Sequence, residues 1–282
     1  MTTAASGPPK KSLRQLGFLA LRTLGIGYVI IVVAVYLLQR RMLYMPSAES
    51  ALPQSADPTL REIEYTTSDG LVHKAWYWPG AKPETLLLLH GNAGSRVHRL
   101  GWLEILRPLG YGLLLIDYRG YGGNPGTPTE DGLYRDAEAA LAWLKANTTG
   151  RVVYFGESLG SGVAVELARR APPAALILQS AFDSVANIAQ RVYFFLPVGL
   201  LLKDRFDNDK KIAAVAAPML FIHGTQDEII PITAGRRLFA AARGDVEWRE
   251  LAGADHNYLA YSHTEEYVRA IREFLTSRLA AK

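Results

Sequence analysis

Short apolar runs alternate with longer amphipathic stretches along most of this chain. One such run, Thr85–Leu89, is a threonine followed by four leucines, the composition of a strand buried on both faces of a sheet. The strands predicted for this sheet are Thr85–Leu89, Gly112–Ile116, Val152–Phe155, Ala175–Leu178, Met219–His223 and Val246–Leu251. The stretches between them, such as Glu130–Ala146, place apolar residues at helical spacing. Strands that alternate with helices predict parallel βαβ units in one α/β domain.

Helices are also predicted up to Leu106, directly after Ser158, and over Glu265–Leu279 at the end of the chain. Before the first buried strand, Arg61–Thr67 and Leu71–Trp78 flank the turn sequence Ser-Asp-Gly. Two β-type runs around such a turn predict a β-hairpin.

The longest apolar stretch is Leu16–Leu38 near the N-terminus, whose centre carries no charge. As a helix, it would be about 34 Å long, enough to cross a bilayer core of roughly 30 Å. A buried core helix and a cleaved signal peptide are the alternatives. No small-residue cleavage site follows the stretch, since Gln39, Arg40 and Arg41 come next. The pattern therefore predicts an uncleaved transmembrane anchor.

Basic residues around this stretch indicate its orientation. Lys10, Lys11, Arg14 and Arg22 precede its centre, whereas the pair Arg40-Arg41 follows it. The positive-inside rule then places the N-terminus in the cytoplasm and the catalytic domain on the opposite, periplasmic or extracytoplasmic, side. The pair after the stretch opposes this orientation.

These features divide the chain into four parts. We predict a basic tail at 1–15, the anchor at 16–38, a linker at 39–60, and an α/β domain at 61–282. Within the domain, the apolar stretch Tyr193–Leu202 has two interpretations. It forms an ordinary core helix, or it belongs to a small cap over 183–212, where apolar substrate chains or the membrane surface would be met.

Composition narrows the classes of function. The chain of 282 residues is 49% hydrophobic and 21% charged, which is typical of a globular protein. Its net charge of +4 comes from residues 1–41, which carry six basic residues and no acid, so the rest of the chain has a net charge of −2. A nucleic-acid-binding face on the domain is therefore not indicated. The absence of cysteine excludes thiol nucleophiles and disulfides, and no metal or dinucleotide motif is present, so we predict no cofactor.

A single motif organises the candidate chemistry. The strand Val152–Phe155 runs into Gly156-Glu157-Ser158-Leu159-Gly160, and a helix-compatible stretch follows. Strand, Gly-x-Ser-x-Gly and helix together make a nucleophile elbow, in which a strained turn exposes the serine hydroxyl above the sheet edge. Ser158 is the predicted nucleophile. A glycine-rich turn with an uninvolved serine is the alternative.

A serine needs a base and an acid, which in this type of sheet follow it in the order acid, then histidine. The loop after Met219–His223 offers Asp227, and the loop after Val246–Leu251 offers His256. Because both loops leave the carboxyl ends of strands, their side chains are expected to meet Ser158 at one edge of the sheet. Asp255 is interpreted as a loop or capping group, and Asp117 as structural, with a fallback role as the acid.

The negative charge that develops on an attacked carbonyl needs preorganised hydrogen-bond donors. The backbone N–H of Leu159, the residue after the nucleophile, is one predicted donor. The N–H of Asn92, in the loop after Thr85–Leu89, is the other. A plain glycine turn is the alternative interpretation of that loop.

The chain resembles the α/β-hydrolase fold family, and more narrowly its single-anchor membrane branch, which includes eukaryotic protein depalmitoylases and bacterial relatives. The motifs that carry the resemblance are His90-Gly91-Asn92-Ala93-Gly94, Asp117-Tyr118-Arg119-Gly120-Tyr121-Gly122, Gly156-Glu157-Ser158-Leu159-Gly160, His223-Gly224-Thr225-Gln226-Asp227 and Gly253-Ala254-Asp255-His256-Asn257. It covers about residues 42–282 and implies a mostly parallel central sheet flanked by helices, with an N-terminal transmembrane helix. It also implies that Ser158, Asp227 and His256 form a triad and that Asn92 and Leu159 supply the oxyanion hole. Relatives commonly carry serine where this chain has Asn124.

These observations predict a membrane-anchored serine hydrolase that cleaves carboxylic esters or thioesters through an acyl-enzyme. The expected partners are the membrane, through 16–38, and an ester- or acyl-bearing, lipid-like substrate. The alternatives are a serine peptidase with the same triad and a non-catalytic tethered binding protein on a hydrolase fold.

Overall fold

The computed structural model describes residues 12–52 and 57–280. Most of the predicted basic tail, residues 1–11, and residues 53–56 of the predicted linker lie outside the described residues. The chain divides into two compact units, one up to Gln39 and one from Arg40 onward.

The second unit is built on one large sheet. Its strands are β2 (Arg61–Thr66), β3 (Val72–Trp78), β4 (Thr85–Leu89), β6 (Gly112–Ile116), β7 (Val152–Glu157), β8 (Ala175–Gln179), β9 (Met219–Gly224) and β10 (Val246–Leu251). Among the described residues, these eight strands lie in the order β10-β9-β8-β7-β4-β6-β3-β2. The pairs from β10 to β6 are parallel, whereas β2 and β3 form the predicted antiparallel hairpin and β3 pairs antiparallel with β6. The mostly parallel α/β fold predicted from the sequence is thus confirmed.

Alternating side chains of the central strands build two hydrophobic cores. Leu87 and Leu89 of β4 point into one core, and Leu86 and Leu88 point into the other, as the two-residue period of a strand requires. All four are fully buried, and each contributes on the order of 2 kcal/mol of burial. This explains why β4 is apolar at every position after Thr85.

Helices cover both faces of the sheet. They are α2 (Leu100–Leu106), α3 (Glu130–Asn147), α4 (Leu159–Arg170), α5 (Val185–Val192), α6 (Val198–Leu201), α7 (Ile232–Ala241), α8 (Leu259–Ser262) and α9 (Thr264–Leu279). Helix α3 begins where Thr129 Oγ1 accepts a hydrogen bond from Gly132 N, a polar N-cap. Glu130 and Asp131 in its first turn complement the helix dipole.

The N-terminal helix, α1, runs from Leu13 to Leu43 and is longer at both ends than the predicted span Leu16–Leu38. Its mean hydropathy reaches 2.3 over 18 residues, and that window is not buried against protein. By length and composition it is a candidate membrane span.

The residues after α1 are not an unstructured connection. Strand β1 (Met45–Pro46) pairs in parallel with β5 (Ala93–Gly94), in the loop that follows β4. Met45 N donates to Asn92 O over 3.0 Å, and Ser47 N donates to Gly94 O over 2.9 Å. Part of the predicted linker 39–60 is therefore hydrogen-bonded to the domain.

The apolar stretch Tyr193–Leu202 is not a core helix, so that interpretation was wrong. The helix breaks between α5 and α6, and Phe194 and Leu200 are exposed, while Leu196 and Val198 are buried. The cap over 183–212 stays a prediction.

Candidate active site

Ser158 stands between strand β7 and helix α4, in a turn with unusual backbone angles. Its φ is 51° and its ψ is −118°, a region that residues other than glycine rarely adopt and that costs conformational energy. Backbone hydrogen bonds hold it there: Ser158 N donates to Gln179 O over 2.9 Å, and Ser161 N donates to Ser158 O over 2.9 Å. This turn places the serine side chain at the carboxyl end of the sheet.

Two glycines permit the tight passage from strand to helix. A Cβ added to Gly156 would lie 2.5 Å from Gly160 O, and one added to Gly160 would lie 1.9 Å from Leu89 O. Both distances are much shorter than a van der Waals contact. Because the atoms met are backbone oxygens, they cannot move away as a flexible side chain could. The glycines of the motif therefore serve the close approach of α4 to β7 and β4.

Gly160→Ala is expected to destabilise the domain by about 3 kcal/mol, at the upper end of overpacking effects, because its methyl group must displace the backbone at the end of β4. In a domain of this size, that lowers Tm by roughly 6–12 °C, measured by thermal unfolding of the full chain. Gly199→Ala is the matched control, since its Cβ would meet no atom within 4 Å. Equal Tm values for the two variants would contradict the close approach.

The three side chains predicted to act together lie in one hydrogen-bonded row. His256 Nε2 is 3.0 Å from Ser158 Oγ, and His256 Nδ1 is 2.7 Å from Asp227 Oδ2. The Asp227 side chain is fully buried, and that of His256 is 10% exposed. Loops after β7, β9 and β10 supply the serine, the acid and the histidine, respectively. The fold thus brings together residues that are far apart in sequence.

Asp227 is held in its ionised form. Burial would raise the pKa of this carboxyl, but hydrogen bonds from His223 and His256 outweigh burial, and the pKa lies well below its ordinary value. Ile229 N and Ile230 N donate to the other oxygen, Oδ1, over 3.1 and 2.7 Å. Because the folded pKa is lowered, the charge contributes stability above the ordinary carboxyl pKa of about 3.9, and that contribution is lost as the pH falls below it.

The predicted oxyanion donors flank the serine. Gly91 packs so closely that a Cβ on it would lie 3.3 Å from Ser158 Cβ, and Asn92 follows it. Leu159 is the first residue of α4, so its N–H has no acceptor inside the helix. Within the described part of the chain, no hydrogen-bond acceptor takes the N–H of Asn92. Both amides are thus available for a ligand.

The strand after α1 braces the Asn92 loop, and sequence reasoning missed this. Asn92 O accepts from Met45 N and, over 2.8 Å, from Tyr121 Oη, while Asn92 Nδ2 donates to Leu43 O over 3.0 Å. Ser95 Oγ donates to Glu49 O over 2.7 Å. A two-residue strand carries no periodic pattern, so no sequence signal announced it.

Other candidate acids have structural partners. Asp117 accepts from Arg96 N over 2.7 Å and lies 3.1 Å from His90 Nε2, so its bonds go to the loop after β4 and not to His256. Asp255 Oδ1 accepts from Tyr258 N over 2.7 Å, a bond within its own loop, which agrees with the loop role predicted for it.

Glu157 and Asn124 hold the surrounding backbone. Glu157 Oε2 accepts from Arg99 Nε over 2.9 Å and from Gly91 N over 3.3 Å. Burial would raise the Glu157 pKa, but the Arg99 charge and hydrogen bond keep it below its ordinary value. Asn124 donates to Asp117 O over 2.9 Å and accepts from Lys74 N over 2.9 Å. Its amide thus ties the loop after β6 to the hairpin.

The described residues contain no group of three or more His, Asp or Glu side chains placed to hold a metal ion.

Comparisons with known proteins agree with this architecture. A family model for the alpha/beta hydrolase fold matches residues 84–214. An uncharacterised protein of Mycobacterium tuberculosis is 42% identical over 246 residues, covering 84% of this chain and 87% of that protein. The lysophosphatidylserine lipase ABHD12 of Macaca fascicularis is 36% identical over 219 residues, covering 67% of this chain and 55% of the lipase.

Solved structures share the fold. The Pyrococcus furiosus esterase Pf2001 superposes with a TM-score of 0.70 at 21% identity, covering 83% of this chain and 98% of the esterase. A monoacylglycerol lipase of Paleococcus ferrophilus superposes with a TM-score of 0.55 at 22% identity, covering 78% of this chain and 99% of the lipase. The sheet order, the turn at Ser158 and these matches lead to one conclusion: the chain belongs to the α/β-hydrolase fold family.

Proposed function

We propose that this chain is a membrane-anchored serine hydrolase that cleaves carboxylic esters or thioesters, with Ser158, His256 and Asp227 as its catalytic triad. The observation that carries the proposal is the row of hydrogen bonds from Ser158 Oγ through His256 to Asp227, at 3.0 and 2.7 Å. Geometry of this kind makes a serine hydroxyl reactive at neutral pH. Lipase and esterase relatives support carboxylic ester hydrolase activity.

In the proposed mechanism, His256 Nε2 accepts the Ser158 proton as Oγ attacks the carbonyl carbon. Asp227 orients the imidazole and stabilises the imidazolium. The N–H groups of Asn92 and Leu159 bind the oxyanion. Collapse of the tetrahedral intermediate expels the alcohol or thiol, which takes the proton from His256, and leaves an acyl group on Ser158. Water, deprotonated by His256, then attacks the acyl-enzyme and releases the acid.

A lipid-like substrate is the class that the anchor and the relatives favour. Helix α1 is apolar enough to cross a bilayer, and a lysophosphatidylserine lipase is among the relatives. An enzyme tethered beside a bilayer meets esters that partition into it. We place the catalytic domain on the extracytoplasmic side, because basic residues precede the span.

The proposal is tested with purified full chain in detergent and three sets of substrates: p-nitrophenyl esters of increasing chain length, acyl thioesters, and aminoacyl amides. We expect covalent labelling by a fluorophosphonate and turnover of the esters or thioesters. Preferential turnover of the amides would indicate the peptidase alternative. Absence of labelling and of turnover would indicate a non-catalytic binding protein.

Asp227→Asn is expected to lower kcat by about 10⁴-fold while the fold is retained, because an amide at this position favours the wrong imidazole tautomer and leaves the imidazolium unpaired. Steady-state ester hydrolysis measures the loss. Asp255→Asn, which changes the acid adjacent to His256 in sequence, is the control and should keep activity within a few-fold of the parent. Similar activities for the two variants would remove Asp227 from the proposed mechanism.

Tyr121→Phe is expected to lower kcat about 5- to 10-fold with KM unchanged, the size of one lost hydrogen bond of about 1 kcal/mol. The variant removes the hydroxyl that bonds Asn92 O and keeps the ring, so the Asn92 N–H is held less firmly at the oxyanion. Tyr65→Phe is the control, because the Tyr65 hydroxyl is buried without a hydrogen-bond partner in the described structure. A changed KM with an unchanged kcat would contradict this positioning role.

A further inference from the structure

The segment that runs from the last residue of α5 through α6 exposes several large apolar side chains. In Val192–Leu202, which we call the apolar segment, Val192 is 62% exposed, Phe194 79%, Phe195 50% and Leu200 89%. Outside α1, the other exposed large hydrophobic residues of the described chain are Met45, Val72, Ile229, Tyr258 and Tyr261. A contiguous apolar surface on a folded domain marks a contact surface.

The fold holds these side chains outward. Leu196 and Val198 of the same segment are buried, so the segment already has an inner face. Gln190 Nε2 lies 3.3 Å from Phe194 O and 3.1 Å from Leu196 O, which holds the turn between the helices. The outer residues are therefore not a displaced piece of the core.

An ion pair joins Asp204, two residues after the apolar segment, to Arg40, two residues after the predicted membrane span. Asp204, two residues after Leu202, accepts from Arg40 Nε over 2.7 Å and from Arg40 Nη2 over 3.2 Å. The Asp204 side chain is only 5% exposed, and its Oδ1 also accepts from Glu130 N over 3.1 Å. Arg40 comes two residues after Leu38, the end of the predicted span. Within the second unit, the apolar segment is thus joined to Arg40, which follows the predicted span in sequence.

The charges around the segment fit an anionic surface. From Ser184 to Lys203 the chain carries Arg191 and Lys203 and no acidic residue, and the acids at either end, Asp183 and Asp204, are buried in ion pairs with Arg237 and Arg40. Apolar and aromatic side chains flanked by cations are the combination that binds the interface of a membrane containing anionic lipid.

The residues that follow the apolar segment contact α4, the helix that begins directly after the candidate nucleophile. Downstream of Asp204, Phe206 packs against Gly162 of α4, where an added Cβ would lie 2.8 Å from the phenylalanine ring. Arg205 N and Phe206 N both donate to Glu130 Oε2, over 2.6 and 3.0 Å. The residues that follow the apolar segment are therefore held against α3 and α4.

We propose that the apolar segment rests on the bilayer, with Phe194, Phe195 and Leu200 entering the boundary between headgroups and acyl chains. This inference rests on the proposed membrane anchoring. It gives the domain a second, peripheral contact with the membrane in addition to the anchor and turns one particular face of the domain toward lipid.

Nitroxide labelling tests the contact, and the chain has no native cysteine to remove. Phe194→Cys and Leu200→Cys each receive a spin label in the full chain, reconstituted in phosphatidylcholine–phosphatidylglycerol vesicles. Ile30→Cys, in the middle of the predicted span, is the control for anchoring, and Val72→Cys, an exposed apolar position on the β-hairpin, is the control for water. Circular dichroism and thermal unfolding of each variant check that the domain is folded.

We expect labels at 194 and 200 to collide more with oxygen than with a water-soluble nickel chelate, as at position 30, and the label at 72 to show the reverse. Water-like behaviour at both 194 and 200, with position 30 in lipid, would overturn the inference and leave the anchor intact. Protection from both reagents at 194 and 200 would mean that protein, such as a second copy, covers the segment, which also overturns it. A water-exposed position 30 would remove the anchoring and the inference together.

Discussion

A Ser158→Ala variant is expected to lose all covalent labelling by a fluorophosphonate and about 10⁶-fold in kcat for ester hydrolysis. Without Oγ, no acyl-enzyme forms, and only binding and the oxyanion donors remain to assist direct attack by water. Gel fluorescence after probe treatment and steady-state hydrolysis in detergent measure the two losses.

Ser161→Ala is the matched control for this variant. Ser161 lies one helical turn from Ser158, is fully buried, and its hydroxyl has no hydrogen-bond partner in the described structure. Alanine also favours the helix, so the control should fold, react with the probe and turn over esters at close to the parent rate. Persistent labelling in Ser158→Ala, or its loss in Ser161→Ala, would place the nucleophile elsewhere.

His256→Ala is expected to reduce kcat by about 10⁶-fold as well, because base and nucleophile act as one unit. Without the imidazole, Ser158 Oγ loses the hydrogen-bond partner at 3.0 Å that would take its proton. His256 is partly exposed, so the variant should still fold, with Tm lowered because buried Asp227 loses one hydrogen bond, and circular dichroism with thermal unfolding checks this.

His263→Ala provides the comparison for the histidine. That side chain lies near the same loop, with its Nε2 at 3.0 Å from Ala252 O, but it is not bonded to Ser158 or Asp227. We expect it to keep activity within a few-fold. A His256→Ala enzyme with comparable turnover would remove the proposed base.

The amino-acid sequence by itself determined the elements whose signals are local. Buried strands such as Thr85–Leu89 and Gly112–Ile116 were predicted with the residue bounds that the structure has, because a strand covered on both faces must be apolar at nearly every position. The turn at Ser158 could also be predicted from the sequence, for a related reason. Gly156 and Gly160 stand where two backbones nearly touch, and no other residue type fits there.

Only the tertiary structure decided what depends on distant neighbours. The pairing of Met45 with the Asn92 loop and the bond from Tyr121 to Asn92 O join segments that are dozens of residues apart, so no local pattern encodes them. The apolar segment shows the same limit: Leu196 and Phe194 are equally hydrophobic in sequence, but one is buried and the other exposed. The hydrophobicity of a side chain tells how much free energy is gained when it leaves water. The packed fold decides which of these side chains fit inside the protein.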